Sequence, residues 1–152
     1  DGTDPSPYHN FRMMECGYIT RLPVEVQDGL LEGIQKTAKN SGLTLTLALS
    51  YSGHWDIAQS LMRIVQDTRS GRIREEDLGE QTISAYLSTA GIPDPDLMIR
   101  TSGEFRISNF LLWQSAYSEF VFMDTLWPDF DAGQLQAAVD EFARRQRRFG
   151  GR

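Results

Sequence analysis

The sequence is poor in the residues that most often carry chemistry on their own. It holds one cysteine, Cys16, and two histidines, His9 and His54, in 152 residues. A lone thiol cannot close an internal disulfide, which fits a reducing compartment such as the cytoplasm. The histidines share no metal-ligand spacing. Lysine is almost absent: of 15 basic residues only Lys36 and Lys39 are lysine, and the others are arginine. A formal charge of −6 excludes general nucleic-acid binding. No apolar run exceeds that of Phe110–Trp113 or Phe120–Met123, far short of the roughly 20 residues of a membrane span. Asp1–Pro5 has neither the basic nor the apolar part of a signal peptide. Gly-x-Gly-x-x-Gly and Gly-rich Lys-Ser/Thr loops are missing too, which removes the common nucleotide fingerprints.

What remains is ordinary for a soluble globular chain: 40% hydrophobic and 24% charged residues. Disorder and fibrous classes fall away, and one domain over residues 1–152 with a modest core is expected. Residues 1–8, rich in Pro, Gly and Asp, read as a flexible end. Strands are expected at Phe11–Cys16, Leu43–Ser50, Asp96–Arg100 and Glu119–Asp124. The second alternates Leu with Thr, Ala and Ser, a period of two with four Leu on one face. Between them, Val26, Leu30, Ile34 and Ala38 recur at helical spacing after Pro23, with Gly42 as the stop. A second helix is expected to run to Arg69 with Ile57, Leu61, Ile64 and Val65 inward. Residues 72–90 read as weakly helical. Ser108 is expected to cap a helix holding Phe110, Trp113 and Tyr117, and a last helix carries Leu135, Val139 and Phe142. Alternating strands and helices predict an α/β fold, a mainly parallel central sheet flanked by helices.

Parallel sheets bind ligands beyond the carboxyl ends of their strands. Two such ends stand out: Ser50–Asp56, and the run Arg100-Thr101-Ser102-Gly103-Glu104-Phe105-Arg106-Ile107-Ser108-Asn109. In the second, two guanidinium groups and a hydroxyl gather where a helix is expected to begin. Guanidinium forks suit phosphate oxygens, and a helix start favours anions. The pattern reads as a phosphate or diphosphate clamp. The structural alternative is that Arg100 and Arg106 pair with Glu104 and nearby Asp. Glu119 is a solvated strand-edge residue on one reading and a Mg²⁺ carboxylate beside a diphosphate on the other. Cys16 reads as a buried inert thiol, and Arg144–Arg148 as a solvated helix end.

The run from Arg100 to Gln114, with Tyr117, Glu119 and Leu126-Trp127-Pro128-Asp129-Phe130 at matching spacing, resembles the signature of the cis-prenyltransferases. Ser50-Tyr51-Ser52-Gly53-His54-Trp55-Asp56 is similar to that family's Asn-Tyr-Gly-Gly-Arg-Trp-Asp segment, and Arg147–Gly151 to its C-terminus. The resemblance covers residues 9–151. It implies that Arg100, Arg106, Ile107 and Ser108 hold the diphosphate of isopentenyl diphosphate. It implies that Glu119 serves Mg²⁺, and that Arg148 and Gly150 form an Arg-x-Gly tail reaching a partner's site in a homodimer. The implied reaction adds isopentenyl units to farnesyl diphosphate with cis geometry, giving undecaprenyl diphosphate, a lipid-carrier precursor. That product also implies peripheral membrane contact.

Two departures carry weight. Phe105 stands where many members have a metal-associated His. The family's Asp-Gly-Asn-x-Arg-Trp segment, with its catalytic Asp, has no counterpart, so the chain resembles about the C-terminal three-fifths of the enzyme. No catalytic residue is therefore expected in it, nor turnover by these 152 residues alone. The alternatives are a non-catalytic subunit of a prenyltransferase dimer and an unrelated phosphate-binding α/β protein.

Overall fold

The computed structural model describes residues 10–145. By contact the chain divides into two compact units, Asp1–Ala90 and Gly91–Arg152.

The first unit is built on a parallel pair. Strand β1 (Arg12–Gly17) lies beside β2 (Thr44–Leu49) in continuous register from Arg12↔Thr44 to Gly17↔Leu49. Parallel neighbours need a long crossover, and helix α1 (Val24–Thr37) supplies it, with Pro23 at its N-cap. The helix packs on β1 through a different stripe from the expected one. Leu30, Gly33, Ile34 and Thr37 are partly buried, whereas Val26 and Ala38 are exposed. Thr37 explains the shift: its hydroxyl accepts from the Met13 amide at 2.9 Å and donates to the Gly33 carbonyl at 2.8 Å. Gly33 lets the Met13 side chain lie against the helix backbone, since a Cβ there would sit 2.9 Å from its sulfur. The helix also ends earlier than Gly42, with Ala38 as C-cap.

Helix α2 (Gly53–Arg69) begins at Ser52, whose side chain accepts from the Trp55 amide. Its expected inward face is corrected by the structure. Ile64 is buried, but the rest of the buried stripe is Gly53, Asp56 and Ser60, while Leu61 and Val65 are 46% and 47% exposed. The cause is a polar network. Asp56, fully buried, accepts from the Ser88 amide at 2.7 Å and from the Tyr51 hydroxyl at 3.0 Å. These bonds turn the polar side of α2 toward the short helix α3 (Glu80–Tyr86), the only α-helical part of the expected 72–90 segment.

The second unit repeats the parallel theme. Strand β3 (Leu97–Arg100) pairs with β4 (Glu119–Phe122) from Leu97↔Glu119 to Arg100↔Phe122. Helix α4 (Ala132–Arg144) follows, capped by Asp131, whose carboxylate accepts from the Gln134 amide at 2.9 Å. Ala138 is its fully buried residue, small enough for close approach to the strands. The parallel sheets and helices give the expected α/β class, the strands standing as two pairs among the described residues. The helix expected from Ser108 is absent. Ser108, Asn109 and Leu111 take φ of 53°, 62° and 45°, the left-handed region that α-helices of L-residues do not use. Residues 107–117 form a series of turns instead.

Candidate anion site at the end of the third strand

The two strand ends singled out by the sequence differ in their freedom. At the end of β2, Ser50 takes a φ of 48° and Ser52 is spent on its helix cap. The Trp55 ring stacks on Tyr18 at 5.2 Å with planes 10° apart, and the Arg21 guanidinium lies 5.6 Å from the Tyr18 ring centre. With Asp56 buried in its network, this end is committed to holding the first unit together. Cys16, beside it on β1, is buried. Burial, then the charges of Asp56 and Glu15, push its thiol up to about 11, so it is protonated and inert as expected.

The end of β3 is different. Beyond Arg100 the two strands stay joined, because the Ser102 amide donates to the Thr125 carbonyl and the Gly103 amide to Met123, each at 2.9 Å. Gly103 has a φ of 64°, and a Cβ there would meet the Asp124 carboxylate at 3.3 Å; both features call for glycine. Beside this turn lies a cavity of about 400 Å³ lined by Ile99, Arg100, Thr101, Ser102, Trp127 and Phe130. One wall is aromatic, with Trp127 and Phe130 stacked at 5.7 Å. Arg100 is partly buried. Among the described residues no carboxylate stands within ion-pair distance of it. A partly buried arginine that lines a cavity without a carboxylate partner can receive an anion there, since desolvating its charge is costly until a counter-charge arrives.

The other candidate residues are placed less centrally. Arg106 is exposed and ion-paired with Glu104, the arrangement that the structural alternative predicts for it. Ile107 and Ser108 are exposed. The absent helix leaves no helix N-terminus at Ser108, so no helix dipole contributes to an anion site there. Arg148 and Gly150 lie outside the described residues. Phe105, at the position where the resemblance implies a metal-associated His in many family members, packs its ring 5.2 Å from that of Phe122.

Glu119 sits at the amino end of β4, whereas Arg100 sits at the carboxyl end of β3. Three register steps separate them, about 10 Å along a strand. The Glu119 carboxylate faces Arg145, whose Nη1 lies 3.1 Å from Oε2. Among the described residues no three Asp, Glu, His or Cys gather as a metal cluster. These residues as they stand fit a guanidinium and not a metal ion.

Sequence reasoning missed Trp127 and Phe130 as cavity walls and Arg145 as the partner of Glu119. The spacing of Trp127-Pro128-Asp129-Phe130 was available, but nothing local says that it returns to the end of β3.

The comparisons agree on one family. Residues 4–150 match the Prenyltransf family model, undecaprenyl diphosphate synthase. The chain is 54% identical over 142 residues to an isoprenyl transferase of Porphyromonas gingivalis, covering 93% of this chain and 56% of that protein. It is 46% identical over 143 residues to a (2E,6E)-farnesyl-diphosphate-specific ditrans,polycis-undecaprenyl-diphosphate synthase of Photorhabdus laumondii, covering 94% of this chain and 56% of that one. Among solved structures it is similar to lavandulyl diphosphate synthase from Lavandula x intermedia in complex with dimethylallyl diphosphate. That likeness has a TM-score of 0.89 and 35% identity, over 92% of this chain and 60% of the other. The chain thus spans a little over half the length of these relatives.

Proposed function

Because this chain belongs to the Prenyltransf family of undecaprenyl diphosphate synthases, we propose that it supplies the isopentenyl diphosphate site of a cis-prenyl transfer reaction. One observation carries the reading: Arg100, partly buried and paired with no carboxylate among the described residues, lines a cavity of about 400 Å³ with an aromatic wall. The shape and chemistry suit a small ligand with an anionic end and a short branched apolar end. Arg100 takes diphosphate oxygens, and Trp127 and Phe130 offer their ring faces to the isopentenyl group. Arg106, once released from Glu104, adds a second guanidinium.

In the reaction the isopentenyl alkene attacks the allylic carbon of farnesyl diphosphate. The allylic C–O bond breaks, that diphosphate leaves, and a proton is lost from the isopentenyl unit. The diphosphate held by this chain stays on the growing product. Its contribution is therefore positional: fixing one diphosphate aims the alkene and saves the entropy of bringing two substrates together. The repeated addition that ends at undecaprenyl diphosphate, pairing into a homodimer and peripheral membrane contact belong to the same reading of the whole protein.

Calorimetric titration with isopentenyl diphosphate and with inorganic pyrophosphate tests it. Binding of the first more tightly than the second is expected, because only the first fills the aromatic side. Arg100→Met should weaken binding about tenfold to a hundredfold, since a charge-assisted hydrogen bond is worth about 1.5–3 kcal/mol and each 1.4 kcal/mol is tenfold. Arg106→Met should cost less, because its charge is already met by Glu104 in water. Equal affinity for both ligands would favour a general phosphate-binding protein.

A further inference from the structure

The residues expected to accompany Arg100 are not among the walls of its cavity. Arg106, Ile107 and Ser108 are missing from a lining made by Ile99, Arg100, Thr101, Ser102, Trp127 and Phe130. Ile99, Trp127 and Phe130 are apolar, so the polar end is the consecutive run Arg100-Thr101-Ser102. Among the described residues no group takes the Thr101 or Ser102 hydroxyl in a hydrogen bond. The backbone that carries them is fixed. The Arg100 carbonyl accepts from the Met123 amide at 2.8 Å, and the Ser102 and Gly103 amides donate to Thr125 and Met123. Ser102 is held at a φ of 69°, the left-handed region, where serine is strained and glycine is not. Strain of this kind persists where the surroundings over-determine a residue, and it concentrates at ligand sites.

We propose that Thr101 and Ser102 are the hydroxyl donors for the second phosphate at this site, and that they make it select a diphosphate over a monophosphate. One guanidinium fork meets two oxygens of one phosphate. A second phosphate brings further oxygens that need donors of their own, and the apolar walls offer none. A hydroxyl on a short side chain supplies an O–H with little rotamer freedom to lose. The inference deepens the proposed function and rests on Arg100 taking the first phosphate; it does not depend on the isopentenyl end of the ligand.

Calorimetric titration of the full chain with isopentenyl diphosphate, isopentenyl monophosphate, pyrophosphate and phosphate tests this. The wild type should prefer each diphosphate to its monophosphate by about tenfold or more, the size of one charge-assisted hydrogen bond. Thr101→Val with Ser102→Gly removes both hydroxyls, keeps a β-branched residue at the strand end and relaxes the left-handed position. It should lose most of that preference, the loss falling on the diphosphates, whereas Arg100→Met should weaken all four probes. Thr101→Ser, which keeps the hydroxyl, should retain the preference. No preference in the wild type, a preference untouched by the double variant, or equal losses for diphosphate and monophosphate overturns the proposal. Should the double variant fail to fold, Ser102→Gly alone should lower the preference about threefold, and no change overturns it. If the hydroxyls govern pyrophosphate binding but the isopentenyl group adds no affinity, the prenyl reading fails and this one stands. If isopentenyl diphosphate binds through Arg100 with no effect of the hydroxyls, the reverse holds.

Discussion

Replacing Asp56 by alanine should be among the most damaging single changes in the first unit. The carboxylate is fully buried, in the first turn of α2. It accepts from the Ser88 amide at 2.7 Å, the Tyr51 hydroxyl at 3.0 Å and the Gln59 amide at 3.4 Å. The first bond crosses from α2 to the chain leaving α3, so it fixes how the two helices pack. A hydrogen bond to a charged group contributes about 1.5–3 kcal/mol, and a buried donor left alone costs about 1–3 kcal/mol. The N-terminal dipole of α2 adds about 0.3–1 kcal/mol. Against this, the mutant no longer pays to bury a charge. The Gln59 contact is long and adds little. A net loss of about 3 kcal/mol is expected for Asp56→Ala, and about half of that for Asp56→Asn, which keeps one acceptor for the Ser88 amide. Urea unfolding measures both, read from the midpoint at constant slope. Hydrogen exchange at the Ser88 amide locates the effect. An alanine variant within about 0.5 kcal/mol of wild type, or one indistinguishable from Asp56→Asn, would refute the view that this carboxylate organises the α2–α3 packing.

Other outcomes follow from single positions. Gly17→Ala should destabilise the β1–β2 pair severely, because φ is 120° and a Cβ would collide with the Leu49 carbonyl oxygen of the neighbouring strand; thermal unfolding reads the loss, and a near-neutral variant would contradict the register. The Cys16 thiol is held neutral in the fold, its value raised from 9.0 to about 11. Its contribution is therefore complete below pH 9 and is lost as pH rises toward about 11. Cys16→Ala should flatten that alkaline arm of a stability-against-pH curve, and alkylation of the native thiol at pH 8 should be slow.

The α/β class was legible because its signals are local. The alternation of Thr44–Leu49 has a period of two, and Pro23 marks a helix start by chemistry confined to one turn, whereas the caps Ser52 and Asp131 were recognised only in the structure. Faces were harder to read. Apolar spacing pointed Leu61 and Val65 inward, but bonds from Tyr51 and Ser88 to Asp56 outweighed it, and hydrophobic periodicity does not register a buried polar network. The helix expected at Ser108 failed for a backbone reason: three left-handed residues between 108 and 111 leave no continuous helical path.

At the candidate site the sequence by itself determined the ingredients and their class. Clustered arginine where a strand meets a glycine turn suits an anion, because guanidinium charge and fork geometry are intrinsic to the side chain, but the same charges suit neighbouring carboxylates such as Glu104. Only tertiary structure decided which of Arg100, Arg106 and Arg145 has no carboxylate partner among the described residues. Arg106 meets Glu104, two residues away, and Arg145 meets Glu119, far upstream, while Arg100 lines the same cavity as Trp127 and Phe130. Charge pairing depends on distances of a few ångströms between groups distant in sequence, and those distances exist only once the strands are in register.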